Sequence, residues 1–535
     1  MNNIEIPQPE DRDIRYRLFE ILPGLVSWTL LLTPIILSFI NPTATVFFII
    51  GYMLMWFAKS VGLNVRAIQG YRTLRLHQKL PWKEMLKELG DDKSVSSLGS
   101  VPRWHQENLT TLSDRPNPIN PDEIFHAIII AAYNESREVL EPTILSVLDS
   151  EYDMKKVILI IAYEGRDGAK SEQASLELVK KYGAKFKHAM AIKHPLTEGE
   201  VRGKGGNITY AGRQLEKFVL SNKIDPLKVI VTTLDSDNRP HEQYLNALTY
   251  LYSMCSEPQY VSFQPIPMFT NNIWDAPAPM RVIATGNSFW NIILSLRPHM
   301  LRNFSSHAQS LQTLIDTDYW SVRTIVEDGH QFWRTYFRYD GKHDVYPLYL
   351  PIYQDAVLSN TYIKILKAQF IQIRRWAWGA SDIAYVAEKG FFQPNKVTRM
   401  DLIFKFSRLL EGHVSWASAP LILALAAFIP STIDPENFAA NQLPLIASRI
   451  QTIALAGIFV TLFLSLKMLP PRPKRYKAHR NIFMVAQWVL LPFTTIAYSS
   501  MAALYSQTRL MLKIYIGKFD TTDKAVVVEG KKKVL

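Results

Sequence analysis

Hydrophobic positions along this chain fall into two textures. At both ends they form long uninterrupted runs, and in the middle they form short runs separated by polar, helix-patterned stretches. Residues 21–40 carry no charge, and roughly 20 apolar residues are enough to cross the hydrocarbon core of a bilayer. A turn-like break at 41–44 leads into a second run, 45–63, with Lys59 near its end. Residues 414–429, 445–466 and 482–505 repeat the texture near the C-terminus, the last with Pro492 inside it. The pattern predicts five membrane spans, two before and three after a polar middle. Acidic residues precede the first run and a second span follows at once, which is not the layout of a cleaved signal peptide.

The middle has a different rhythm. "FHAIIIAAYNES" is a short apolar run ending on polar residues, and "REVLEPTILSVLDS" follows with helical spacing at Val139, Ile144, Leu145 and Leu148. "KVILIIAY" is a second continuous run, "SEQASLELVKKYG" a helix stopped by Gly183, and "HAMAIK" a third strand. "NITYAGRQLEKFVL" reads as a helix and "VIVTTLDSDNRP" opens with a fourth strand. Alternating strands and helices imply an α/β domain with a mostly parallel sheet covered on both faces. Such sheets bind ligands at the carboxyl ends of their strands. The residues in that position are Tyr133-Asn134-Glu135, Glu164-Gly165-Arg166-Asp167 and Asp235-Ser236-Asp237.

Charge refines this layout. The net charge is +12, and the connection 467–481 holds Lys467, Arg472, Lys474, Arg475, Lys477 and Arg480. Arg66, Arg72 and Arg75 follow the second span, whereas 430–443 has no Lys or Arg but carries Asp434 and Glu436. The positive-inside rule then places the middle region in the cytoplasm. The same rule conflicts at the C-terminus, because five spans send outward a tail that ends in the basic "EGKKKVL"; either the last run, broken by Pro492, does not cross fully, or the tail breaks the rule. Basic charge that flanks membrane spans does not call for nucleic acid. Cys255 is the single cysteine, so neither a disulfide framework nor a thiolate metal cluster is available.

Four features carry candidate chemistry. Asp235 and Asp237 are two residues apart, so in an extended strand end they share a face. Two adjacent carboxylates suit a hard cation, Mg²⁺ or Mn²⁺, which in turn holds a diphosphate; alone, the motif also fits a helix cap. "TIVEDGHQFW" sets Glu327 and Asp328 before an amphipathic helix. "QFIQIRRWAWGA" gives Gln372, Arg375 and Trp376 in a Q-x-x-R-W spacing, which alone also fits a basic helix on a membrane surface. "GEVRGKGGN" puts Lys204 in a glycine-rich turn before a helix, able to bring N–H groups and a cation to phosphate. It is not a P-loop, because Gly205 stands where Ser or Thr is needed. "HEQYL" fails as H-E-x-x-H at Leu245, and ionisable groups in the spans are confined to Lys59 and Arg449 near their ends, which disfavours a transporter.

In this order, Y-N-E, D-x-D, E-D and Q-x-x-R-W resemble the membrane-embedded branch of glycosyltransferase family 2, which includes cellulose, hyaluronan and chitin synthases and glucosylceramide synthase. The resemblance covers about 125–380 plus the flanking spans, and it implies a GT-A-like α/β domain inserted between N- and C-terminal transmembrane helices. It divides the chain into two spans within 1–64, a collar at 65–122, the transferase domain at 123–390, an amphipathic interfacial helix at 391–412, about three spans within 413–505 and a basic tail at 506–535. By the same resemblance Tyr133, Glu135, Glu164, Lys204 and Asp235 contact a nucleotide-sugar donor, with a UDP-sugar favoured. Asp237, with Asp235, binds the divalent metal; Asp328, beside Glu327, is the general base of an inverting transfer; Gln372, Arg375 and Trp376 hold the diphosphate and line the acceptor side. At strand two the family carries an Asp pair, where "AYEGRDG" offers Glu164, Arg166 and Asp167. The implied acceptor is a polysaccharide or a lipid-linked molecule, and the implied location is the plasma membrane with a cytoplasmic catalytic domain. The competing reading is a nucleotide-sugar-binding membrane scaffold without catalysis.

Overall fold

The structure, a computed structural model, describes residues 4–91, 93–115, 118–167, 169–195 and 197–517, with the backbone of 525–528 and 531–534. Most of the basic tail, 518–535, therefore lies outside the described residues as far as side chains are concerned.

Four parallel strands form one half of an eight-stranded sheet: β1 (Phe125–Ala132), β2 (Val157–Glu164), β3 (His188–His194) and β4 (Val229–Asp235). Their order is β3-β2-β1-β4, and all three ladders are parallel. Successive side chains point to opposite faces of a strand. Ile128 and Ile130 of β1 accordingly join a core with Leu140, Ile144 and Val147 of the Arg137–Leu148 helix. Ala127 and Ile129 join another with Ile208, Ala211 and Leu215 of the Lys204–Ser221 helix. Both faces are covered, which is why the strands read as continuous apolar runs.

The other half was not legible in the sequence. It consists of β5 (Arg239–Pro240), β6 (Val261–Phe269), β7 (Ala308–Ser310) and β8 (Asp344–Gln354), in the order β4-β7-β6-β8-β5. β6 and β8 run parallel over a long ladder, while the antiparallel links through β7 and β5 join only two or three residue pairs. Proline belongs at sheet edges and bulges. β7 reaches only Ser262 and Phe263 of β6, so Pro265 and Pro267 lie where that side of the strand has no ladder partner there. The β6–β8 register also shifts between Pro265 and Ile266.

Five helical stretches are long and apolar enough to cross a membrane: Ile14–Ile40, Pro42–His77, Arg399–Ile433, Phe438–Met468 and Arg480–Met511. Two precede the sheet and three follow it. Phe39, Phe47, Phe459 and Val489 on them are exposed. Two expectations change. The basic segment 391–412 is not a separate interfacial helix, because Arg399–Leu425 is one uninterrupted helix and its basic residues head the span. Pro492 does not break the last run either. It lies inside the continuous helical stretch Arg480–Met511, which is irregular on either side of it, at Gln487–Leu490 and Thr495–Ser500.

The collar packs on the sheet. Trp82, Met85 and Leu89 of the Trp82–Gly90 helix, and Leu109 and Leu112 of Arg103–Ser113, join the same core as β1. Beneath them lies buried Glu88. It accepts from Ser96 Oγ, Ser97 N and Ser97 Oγ, each at 2.6 Å, and pairs with His105 Nε2 at 3.0 Å. Burial alone would raise this carboxyl; the hydrogen bonds outweigh it and hold the pKa at about 2.

Candidate functional site

The carboxyl ends of β1, β2 and β4 open into one cavity of about 1120 Å³ between the sheet and the long apolar helices. Tyr133, Glu135, Glu164, Lys204, Asp235, Asp237, Glu327, Asp328, Gln372, Arg375 and Trp376 all line it. Every sequence-predicted site residue is thus in one place, although the chain separates the first from the last by more than 200 positions.

The turn after β1 is shaped by Asn134, whose φ of 56° lies in the left-handed region, one that asparagine enters more readily than most residues. This reversal lets the Glu135 carboxylate accept from the Tyr133 N–H and, at 3.0 Å, from Ser236 Oγ. The β1 and β4 ends are thereby tied together. After β2, Glu164 pairs with the Arg166 guanidinium, which lies 4.6 Å from the centre of the Tyr133 ring. A cation–aromatic pair of this kind forms a flat wall.

Lys204 sits at the centre of the acids. Its Nζ is 3.0 Å from Asp235, 3.2 Å from Asp328 and 3.9 Å from Glu327, and donates to the Ser305 carbonyl at 3.1 Å. Burial opposes its charge, yet Asp235, Asp328 and Glu327 together hold its pKa well above normal. The glycine-rich turn therefore delivers a cation to three carboxylates. Gly205 is required by packing, since a Cβ there would stand 2.3 Å from the Ser321 carbonyl oxygen. The acids differ in environment. Glu327 is buried, and burial followed by the Asp328 charge raises its pKa above the ordinary carboxylate range. The side chain of Asp328 keeps 19% exposure toward the cavity. His307 stands 3.9 Å from Asp328; it donates Nδ1–H to the Phe304 carbonyl at 2.8 Å and accepts from Trp320 Nε1 at 3.2 Å. Burial lowers its pKa and keeps the ring neutral.

Asp237 is on the same wall, accepting the Asp355 N–H at 2.9 Å. Among the described residues no three His, Cys, Asp or Glu side chains are gathered to hold a metal. The carboxylates of Asp235 and Asp237 still offer the hard oxygen donors that Mg²⁺ or Mn²⁺ takes, with other positions left to substrate and water.

Gln372, Arg375 and Trp376 lie on the Tyr362–Ala377 helix, where i, i+3 and i+4 share a face. Trp376 packs 6.0 Å from Phe269 at the end of β6. The helix is fastened to the last membrane stretch by Ser506 Oγ, which donates to the Arg374 carbonyl at 2.8 Å.

Two contributors escaped the sequence reading. Asn207, buried one turn after Lys204, donates to the Ala162 carbonyl at 2.8 Å and to that of Ala132 at 3.4 Å, joining the ends of β2 and β1. Asp355 follows β8 as Asp235 closes β4, but "YPLYLPIYQ" carries two prolines and does not read as a strand.

No protein-family model matches the sequence, and no curated protein does either. Among solved structures, a mannosyltransferase from Pyrobaculum calidifontis in complex with GDP-Man and Mn²⁺ aligns with a TM-score of 0.43 and 14% identity, over 78% of this chain and 99% of that one. TarS of S. aureus, residues 1–349 with UDP-GlcNAc, aligns with a TM-score of 0.37 and 13% identity, over 77% and 97%. At these scores neither alignment bears on function, which rests on the geometry of the cavity.

Proposed function

We propose that this chain is a membrane-bound glycosyltransferase of the family 2 type, transferring a sugar with inversion from a nucleotide-sugar donor, a UDP-sugar by preference. The observation that supports this reading is the convergence of Asp235, Asp237, Asp328 and the Gln372-Arg375-Trp376 face on one cavity. The Tyr133–Arg166 wall and Glu164 receive the nucleoside; Asp235 and Lys204 face its ribose and phosphates. Asp237, with Asp235, would hold a divalent metal, which when bound neutralises the diphosphate. Asp328 accepts the proton of the acceptor hydroxyl as the acceptor oxygen bonds to the anomeric carbon. The bond from that carbon to the diphosphate breaks, and its electron pair leaves on the diphosphate beside Arg375. Trp376 offers an apolar face to a sugar ring. The acceptor is a polysaccharide or a lipid-linked molecule, and the catalytic domain faces the cytoplasm at the plasma membrane.

Asp237→Asn and Asp328→Asn test the assignment. Each is expected to lower transfer by about 10²-fold or more, with donor binding weakened by the first and kept by the second. Full activity in either variant contradicts it. A scaffold without catalysis predicts no donor hydrolysis by the purified wild-type protein.

A further inference from the structure

The cavity does not end at the acids. It continues between the membrane helices, lined by Trp56 and Leu63 of Pro42–His77 and by Trp416, Pro420 and Leu423 of Arg399–Leu425. From Arg408 to Leu423, both on its wall, the helix rises roughly 22 Å at about 1.5 Å per residue. That is a large part of the roughly 30 Å hydrocarbon thickness. The same wall carries four arginines close to His299: Arg66, Arg297, Arg302 and Arg408. None of them makes an ion pair among the described residues. Arg66 and Arg302 donate to the carbonyls of Gly62 and Leu301 nearby in the chain, and Arg297 Nε is buried with no hydrogen-bond partner among the described residues. Glu411, three residues from Arg408, is taken by Lys59 at 2.8 Å. The cations also act on one another. After burial, Arg66 and Arg408 lower the pKa of Arg297, and the His299 imidazole is lowered by burial and then by Arg297, Arg408, Arg302 and Arg66.

We infer that this end of the cavity seats a phosphate-bearing lipid, its phosphate among Arg66, Arg297, Arg302 and Arg408 and its chain along the Trp56–Trp416 slot. Guanidinium groups are the side chains best matched to phosphate oxygens. A soluble anion has no use for the apolar slot, and a neutral polysaccharide has no use for four cations. That the lipid is the acceptor, with a headgroup hydroxyl reaching Asp328, rests on the transfer reading; that it binds does not.

Binding is therefore measured without any nucleotide sugar, on full-length protein in maltoside micelles, which contain no phosphate. The probes are a long-chain polyprenyl phosphate, the polyprenol of the same length and inorganic phosphate, followed by native mass spectrometry. Polyprenyl phosphate is expected to bind at least ~10-fold more tightly than either of the others. The double substitution Arg297→Gln and Arg302→Gln should weaken it ~10-fold or more, and Arg297→Lys with Arg302→Lys should restore part of the affinity, which a merely misfolded protein would not show. Trp416→Ala should weaken the lipid without changing inorganic phosphate. Equal binding of polyprenol, equal binding of inorganic phosphate, or unchanged lipid binding in the Gln double variant each overturns the assignment. Loss of donor binding with lipid binding intact would contradict only the transferase reading.

Discussion

Lys204 stands among three acids, Asp235, Asp328 and Glu327. Burial, followed by the Asp328 charge, makes Glu327 favour a proton. Its folded pKa is raised above the unfolded value, so its contribution to stability is full below the ordinary carboxylate range and is lost as pH rises through the folded pKa. Glu327→Gln removes that dependence. Melting curves from acid to mildly alkaline pH should fall less steeply in the variant than in the wild type; parallel curves would refute the assignment. Asp235, Asp237 and Asp328 were legible because each closes an apolar run or opens a helix, where a carboxylate has a direction. Lys204 was expected beside phosphate; its place among three acids was not legible, since that depends on a contact 124 positions away.

At the scale of elements, the Lys204–Ser221 helix is held close to the Ser321 backbone by the absence of a side chain at position 205. Gly205→Ala meets a carbonyl oxygen that cannot rotate away, and overpacking of this kind costs about 1–3 kcal/mol. A chemical denaturation series should show that loss together with weaker donor binding, because Lys204 is displaced with the helix. The collar carries an acid-sensitive lock. Glu88 has a folded pKa of about 2 against an ordinary 4.5, so its stabilisation is present above 4.5 and is lost as pH falls toward 2. Thermal melts between those limits should fall more steeply in the wild type than in Glu88→Gln. The parallel strands β1 to β4 were readable because both faces are buried. β6 and β8 were not, because their prolines are tolerated only through a ladder gap and a register shift that no local pattern reveals.

The whole molecule places a polar site against helices long and apolar enough to cross a membrane. The Tyr362–Ala377 helix reaches the last span through Ser506, and the irregular turns Gln487–Leu490 and Thr495–Ser500 bring Thr495 and Ser499 to the cavity wall. Spans and sheet were both predicted from hydropathy, but the shared cavity was not, since it depends on how the last span packs. The most direct test of the donor site is calorimetric titration of the purified protein in lipid nanodiscs with a panel of nucleotide sugars, with and without Mg²⁺ or Mn²⁺. One nucleotide sugar should bind in the presence of metal, and binding should be lost in Asp237→Asn. Absence of binding by every nucleotide sugar, or binding unaffected by both metal and Asp237→Asn, would contradict the proposed function.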